Sequence, residues 1–316
     1  MKKLVLLTII LLAVVSCQNE TKKEVDVSAI EANVIIDRFE QKFYTANAQT
    51  FPKLKNDYPY LFPTQNDSIW LNKIKNEEEL FKLSQTVFQN FNEEKNQIRE
   101  LFKHIKYYHT SFKSPKIITL ITNLDFENKV VYADSLLFVS LDMYLGKNSE
   151  VYHDFPMYLA QNYDKSQLVV DIAKSISDTY YILEKNRQFI DVMINEGKKM
   201  YVLDCYLPSI PDAQKMGYAV DKLEWAKANE AQLWKYFIEN KLLYSTDADL
   251  YIRFIANAPF SKFYIDIDKQ SPGSIGIWLG WQIVRSYMNN NNVTLQQLLQ
   301  TNAEEIFKKS KYKPKK

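Results

Sequence analysis

Glycine is scarce: 6 of 316 residues, about 2% against a usual ~7%. Gly-rich phosphate loops and turn-dense repetitive β folds are poorly served by such a chain, and neither GxGxxG nor GK[ST] occurs. Cysteine is limited to Cys17 and Cys205, too few for a disulfide framework. Histidine is limited to His104, His109 and His153. His104 and His109 are five apart, which puts them about 140° apart on a helix, so they do not share a face as zinc ligands four apart do. HExxH, CxxC and the EF-hand loop are absent. A composite site from His153, Asp154 and a distant carboxylate is the remaining metal reading, set against surface or capping histidines; the expectation is no metal and no cofactor. GxSxG is also missing, and no strand precedes Gly273-Ser-Ile-Gly276, so it is not a nucleophile elbow. Lys plus Arg number 40 and Asp plus Glu 38, for a formal charge of +2, which gives no electrostatic case for nucleic acid.

Only one long apolar run exists. Leu4 to Val15, interrupted by Thr8, follows the basic Lys2-Lys3. Twelve residues are too few to cross a ~30 Å hydrocarbon core, but they suit the h-region of a signal peptide. The run ends in Val14-Val15-Ser16-Cys17, a lipobox in which the Cys17 thiol becomes the lipid anchor. The organisation read from this is a signal peptide over 1–16, an acylated Cys17 and tether over 17–32, one domain over 33–310 and a basic tail over 311–316. Residues 1–16 hold two lysines and no acid, so the mature chain is formally neutral and has no polybasic membrane patch. Cys205, in Tyr201-Val-Leu-Asp-Cys-Tyr-Leu207, has no histidine or cationic cluster beside it in sequence to activate the thiol and reads as a buried apolar cysteine.

Strand signals collect early: Asn33 to Asp37, Ile117 to Leu124, Val130 to Tyr132 and Leu136 to Leu141. Helical periodicity runs over Asn76 to His109, with a gap at Asn92 to Gln97 that reads as a turn. It dominates from Leu168 on: Leu168 to Glu184, Arg187 to Leu203, Asp221 to Leu243, Ala248 to Asn257 and Ile275 to Met288, with Thr294 as N-cap of Leu295 to Leu299. Lys308 to Lys316 reads as a frayed basic end. The segregation implies α+β, with a small mixed or antiparallel sheet in the first half and a mainly helical second half. Gly273, Gly276 and Gly280 are spaced to form one small-residue helix face for close packing.

Asp125, Glu127, Asp134, Asp142, Asp266 and Asp268 sit in or beside strand-like segments. General acid/base work needs two carboxyls at a set separation; solvated strand-end acids are the commoner outcome. Aromatics are abundant, with 21 Tyr, 18 Phe and 5 Trp. Tyr107, Tyr108, Tyr180, Tyr181, Trp278 and Trp281 are candidates for stacking on a glycan. Trp278 and Trp281 fall within a stretch apolar on several sides, which reads as core.

Several segments together resemble the gliding-motility lipoprotein GldB family. They are the lipobox, Asp37-Arg-Phe-Glu40, Tyr58-Pro-Tyr-Leu-Phe62, Ser114-Pro-Lys-Ile-Ile-Thr119, Leu141-Asp-Met-Tyr-Leu-Gly146, Asn195-Glu-Gly197 and Pro272 to Arg285. The resemblance covers nearly the whole mature chain. It implies a non-enzymatic envelope lipoprotein needed for gliding and the associated type IX secretion apparatus. Its partners would be other gliding or secretion lipoproteins and envelope proteins, and it would meet the membrane through its N-terminal lipid. Asp142, Gly146, Glu196, Gly197, Gly273, Gly276 and Gly280 are family-motif positions without an assigned role. The family is also similar to sequences of zinc-metallopeptidase type, which carry HExxH, then Glu-Gly, then a Gly-bearing helix. Here Glu196-Gly197 and Gly276 to Gly280 look like the later parts, while Val170 to Asp178 holds no histidine. That implies a degenerate zincin-like shell, a pseudo-peptidase. A divergent hydrolase using Glu196 with His153 or nearby acids, and a glycan-binding module, are the alternatives. Gln18 after Cys17, and no acidic cluster behind it, point to a periplasm-facing anchor.

Overall fold

β-branched and aromatic residues concentrate in four short runs, and these form the sheet. The computed structural model describes residues 25–181, 187–266 and 268–315; Cys17, the lipobox and the start of the tether lie outside them. Strands β1 (Ile35–Asp37), β2 (Lys116–Leu120), β3 (Val130–Ala133) and β4 (Leu136–Ser140) assemble in the order β1-β2-β4-β3. β1 and β4 run parallel to β2, and β3 closes one side antiparallel to β4, with Ala133 opposite Leu136. The sheet is therefore mixed, within the α+β class expected.

The pleat gives the sheet two dry faces. Ile117, Ile121, Leu137 and Val139 enter the main core, while Ile118, Leu120, Leu136 and Phe138 point the other way. This alternation is why β2 and β4 read as continuous apolar runs. The second face is covered by α1 (Phe39–Tyr44), α2 (Phe51–Asp57) and α3 (Asp67–Asn76). Phe39, Phe43, Phe51, Tyr58 and Phe62 form an aromatic cluster there, with edge-on contacts such as Phe39–Tyr58 at 4.9 Å. The first face meets α5 (Asn92–Tyr108), reached through α4 (Glu78–Val87), and the helices of the second half.

The Asp37-Arg-Phe-Glu40 segment is a fastening. Arg38 donates to the Phe88 carbonyl at 3.1 Å and to Gln85 at 3.0 Å. It also pairs with the fully buried Glu40, which accepts from Thr119 on β2. Asp37 takes Lys42 at 2.5 Å, Lys116 at 2.6 Å and the Tyr58 hydroxyl at 2.7 Å.

After β4 come the one-turn α6 (Met157–Ala160), then α7 (Leu168–Ser177), α8 (Phe189–Tyr206), α9 (Asp212–Met216), α10 (Val220–Ala228), α11 (Glu230–Glu239), α12 (Asp249–Phe254), α13 (Ile275–Asn290), α14 (Leu295–Gln300) and α15 (Ala303–Ser310). α8 and α13 pack together at the centre of this half. No described helix is long and apolar enough to cross a membrane.

Four local expectations are corrected. The break expected at Asn92 to Gln97 lies between Val87 and Asn92; Phe88 and Phe91, stacked at 5.2 Å, fill the turn with apolar side chains. The helix expected over Asp221 to Leu243 is two, divided at Asn229, whose amide donates to the Trp225 carbonyl at 2.8 Å. Gly273 precedes α13 instead of sharing its face: a Cβ there would sit 2.0 Å from the Ala258 carbonyl oxygen. Lys308 and Lys309 are not frayed but helical, capped by Asn302 and paired with Glu304 and Glu305 at the four-residue spacing. Beyond them, Tyr312 donates to Glu230 at 2.7 Å. Thr294 does form a capping box with Gln297 at the start of α14.

Candidate functional cleft

α7 is apolar on most of its circumference. Leu168, Val169, Val170, Ile172, Ala173 and Ile176 are buried, which leaves Asp171, Lys174, Ser175 and Asp178 on the remaining stripe, at three- and four-residue spacings. That stripe has two tasks. Ser175 receives the Tyr132 amide of the edge strand at 3.0 Å, so part of the free edge of β3 is already answered. Asp171 and Lys174 line a cleft of ≈ 620 Å³.

On one side of the cleft, Lys129 at the start of β3 pairs with Asp171 at 2.5 Å, and the buried Tyr144 donates to the same carboxylate oxygen at 2.9 Å. The opposite wall is held by backbone acceptors. Gly217 caps α9 with φ +70, a conformation glycine adopts without cost. Its carbonyl accepts from Gln161 and Asn162, both at 3.1 Å. The Tyr218 hydroxyl donates to the Gly273 carbonyl at 2.6 Å. Ser274, at φ 54, donates to the Ala256 carbonyl at 3.0 Å.

Lys174 differs from its neighbours. It is partly buried, and its side chain makes no hydrogen bond or ion pair among the described residues. Loss of hydration pulls its ammonium below the usual lysine range; Asp171 opposes that shift and Lys129 adds to it.

Three of the acids singled out in sequence, Asp125, Asp142 and Asp268, serve the backbone. Buried Asp142 accepts from the Thr122 amide at 3.1 Å and the Leu124 amide at 2.7 Å, fixing a loop in which Asn123 and Leu124 have positive φ. Burial raises its pKa against the pull of those amides. Asp268 accepts from the Phe263 and Tyr264 amides in the same way, and Asp125 from those of Glu127 and Asn128. Gly146, four residues after Asp142, takes φ +103 and donates its amide to the Tyr163 carbonyl at 3.0 Å.

Glu196 pairs with Lys199 at 2.8 Å and does not line the cleft. His153 lies exposed with its ring on Asp154, so the His153–Glu196 pairing of a divergent hydrolase is not formed. His104 donates from Nδ1 to the Glu100 carbonyl at 2.9 Å, and His109 stacks on Tyr180 at 3.7 Å. Among the described residues no group of three or more His, Cys, Asp or Glu side chains is placed to hold a metal ion. Trp281 and Trp278 are buried, which removes them as a glycan platform and leaves Tyr107 as the exposed ring of that set. Gly197 and Gly280 meet where α8 crosses α13, and Gly276 faces Ile255 and Phe254.

Sequence reasoning missed Lys129, Asp171 and Lys174. The three-residue spacing of Asp171 and Lys174 within an apolar helix was a signal that was present.

Residues 20–314 match the family described as Gliding motility protein GldB. The chain belongs to this family. Membership places it among gliding-motility lipoproteins, which are associated with the cell envelope. No curated protein and no solved structure matches the chain. In this family member, the helix where the zincin resemblance would put two imidazoles offers the cleft an aspartate and a lysine instead.

Proposed function

We propose that this family member is a lipid-anchored, periplasm-facing envelope protein that serves gliding and the associated type IX secretion machinery by contact with other envelope proteins, without catalysis. The observation that carries the reading is the family match over residues 20–314. The cleft supports the absence of chemistry. Its one carboxylate on α7 is held by Lys129 and Tyr144, and the other carboxylate of the lining, Asp221, is solvent-exposed. The cleft is then a contact surface, and Cys17 is the anchor that keeps it at the membrane.

Deleting the gene in its own host and tracking single cells on glass tests the reading. Complementation uses wild type, Cys17→Ala and Ala219→Trp, the last placing an indole in the cleft from an exposed position on its wall. Wild type is expected to restore gliding, and the two variants to fail while accumulating normally. Gliding by the deletion strain would overturn the motility role. Rescue by Cys17→Ala would overturn the anchor, and rescue by Ala219→Trp the cleft.

A further inference from the structure

We infer that the floor of the ≈ 620 Å³ cleft binds a single carboxylate, with Lys174 as the anchoring cation and an apolar group of the same ligand seated at the rim. The inference rests on the reading of this cleft as the working surface and names the chemistry that surface takes.

The charges decide the sign. Lys129, Asp171, Lys174, Asp221 and Lys222 are the ionised groups along the lining. Lys129 and Asp171 neutralise each other at 2.5 Å. Lys222 spends its ammonium on the carbonyls of Lys269 and Gln270 at 3.1 and 3.0 Å. Lys174 is left without a partner, partly buried, with Asp171 before it on α7 and Asp178 just past the end of that helix. An ammonium held away from water and unpaired is costly, and a charge-assisted hydrogen bond from an incoming anion offsets that cost. The lining sums to one positive charge, so a monoanion matches it. A phosphate dianion would leave a surplus negative charge facing Asp171 and Asp221.

The neutral donors narrow the ligand further. The amides of Gln161 and Asn162 and the hydroxyl of Tyr218 are already committed to backbone carbonyls. The hydroxyls of Tyr158 and Tyr163 line the same cleft and make no hydrogen bond among the described residues, so they remain free to donate to carboxylate oxygens. Met157, 84% exposed, and Phe126, 45% exposed, stand at the rim. A peptide carboxylate beside an apolar residue has both halves of this pattern, whether it is a chain terminus or an acidic side chain.

The test uses four small probes that share an aromatic ring: 3-phenylpropanoate, its primary amide, 3-phenylpropan-1-amine and phenethyl phosphate. They are titrated into the full mature protein with ¹³C-methyl methionine as reporter, since Met157 and Met216 line the cleft. The carboxylate is expected to shift both methyl signals saturably. The amide should bind about tenfold more weakly, as loss of one charge-assisted hydrogen bond implies, and the amine and phosphate should bind no better than the amide. Lys174→Met should erase the preference for acid over amide, and Lys174→Arg should keep it. No saturable shift with the acid, equal binding of acid and amide, tighter binding of the amine or phosphate, or an unchanged preference in a folded Lys174→Met protein would each overturn the inference. The wild-type series stands even if the variants fold poorly. If the acid fails to bind while Ala219→Trp still stops gliding, the carboxylate falls and the cleft reading survives. If acetyl-Phe with a free terminus binds and its amide carrying an internal Glu does not, the source is a chain terminus; the reverse assigns a side chain.

Discussion

Gly280 lies so close to Gly197 that a Cβ built on Gly197 would sit 2.3 Å from the Gly280 carbonyl carbon. A Cβ on Gly280 would sit 1.8 Å from the Met193 carbonyl oxygen. Both obstacles are backbone, so neither can rotate away as a side-chain tip would. The contact sets how closely α8 and α13 approach. It also draws together the helices carrying Asp204 and Arg285, whose charges meet further along, seven residues after Gly197 and five after Gly280.

Gly280→Ala should therefore push the two helices apart and lower stability by about 3 kcal/mol, the upper range for overpacking a core. Urea denaturation of the mature protein measures it as a lower midpoint at constant slope. An unchanged midpoint would mean that the crossing relaxes freely.

Asp204 should be the most costly single charge to remove. Its buried carboxylate takes the Trp281 indole at 2.9 Å, Arg285 at 2.7 and 2.9 Å, and Lys215 at 3.0 Å. Arg285 also bridges to Asp212 at 2.7 and 2.8 Å and stacks 3.7 Å from the Trp281 ring centroid. Lys215 is fully buried. Asp204→Asn leaves that ammonium without its counter-charge and is expected to cost about 3–5 kcal/mol. Adding Lys215→Met should recover part of the loss. If the double variant is no more stable than the single one in thermal unfolding, the stranded lysine is not the cause.

How much of this was readable in the sequence follows from the distance over which each feature acts. The strands were legible because short runs of β-branched and aromatic residues signal themselves, and Thr294 because a capping box is local. The signs of α15 are local too: Asn302, Glu304 and Glu305 open it and Lys308 and Lys309 close it, a pattern matched to the helix dipole, but the basic composition of the tail masks them. The ion network was out of reach, since Asp204 and Arg285 are 81 residues apart and only the fold brings them together. The cleft was hidden for a different reason. Lys129, Asp171 and Lys174 are ordinary surface residue types, and only the burial of one unpaired ammonium singles them out.

Acid should weaken the protein through Asp37. Burial alone would raise its pKa, but hydrogen bonds from Lys116, Lys42 and Tyr58 outweigh it and bring the carboxyl down from 3.8 to about 2. The unfolded chain then binds more protons than the folded one between those values. The associated stability, about 2 kcal/mol, is complete above the unfolded value and is lost as pH falls through about 4 towards about 2. Unfolding free energies measured across this range should slope downward in wild type and less steeply in Asp37→Asn. Parallel slopes would show that other carboxyls govern acid unfolding.

Metal removal should leave the protein unchanged. A zincin site needs two imidazoles and a general base on one helix face, whereas α7 presents Asp171 and Lys174 to the cleft. The carboxylate there is already held by Lys129, and the lysine beside it repels a dication at close range. Prolonged treatment with a chelator is thus expected to move the melting temperature by less than about 1 °C, because a ligand that binds only the folded state is what raises it. Added zinc at stoichiometric amounts should not raise it either. A drop of several degrees on chelation that zinc reverses would reveal a metal centre and reopen hydrolysis as the function of the cleft.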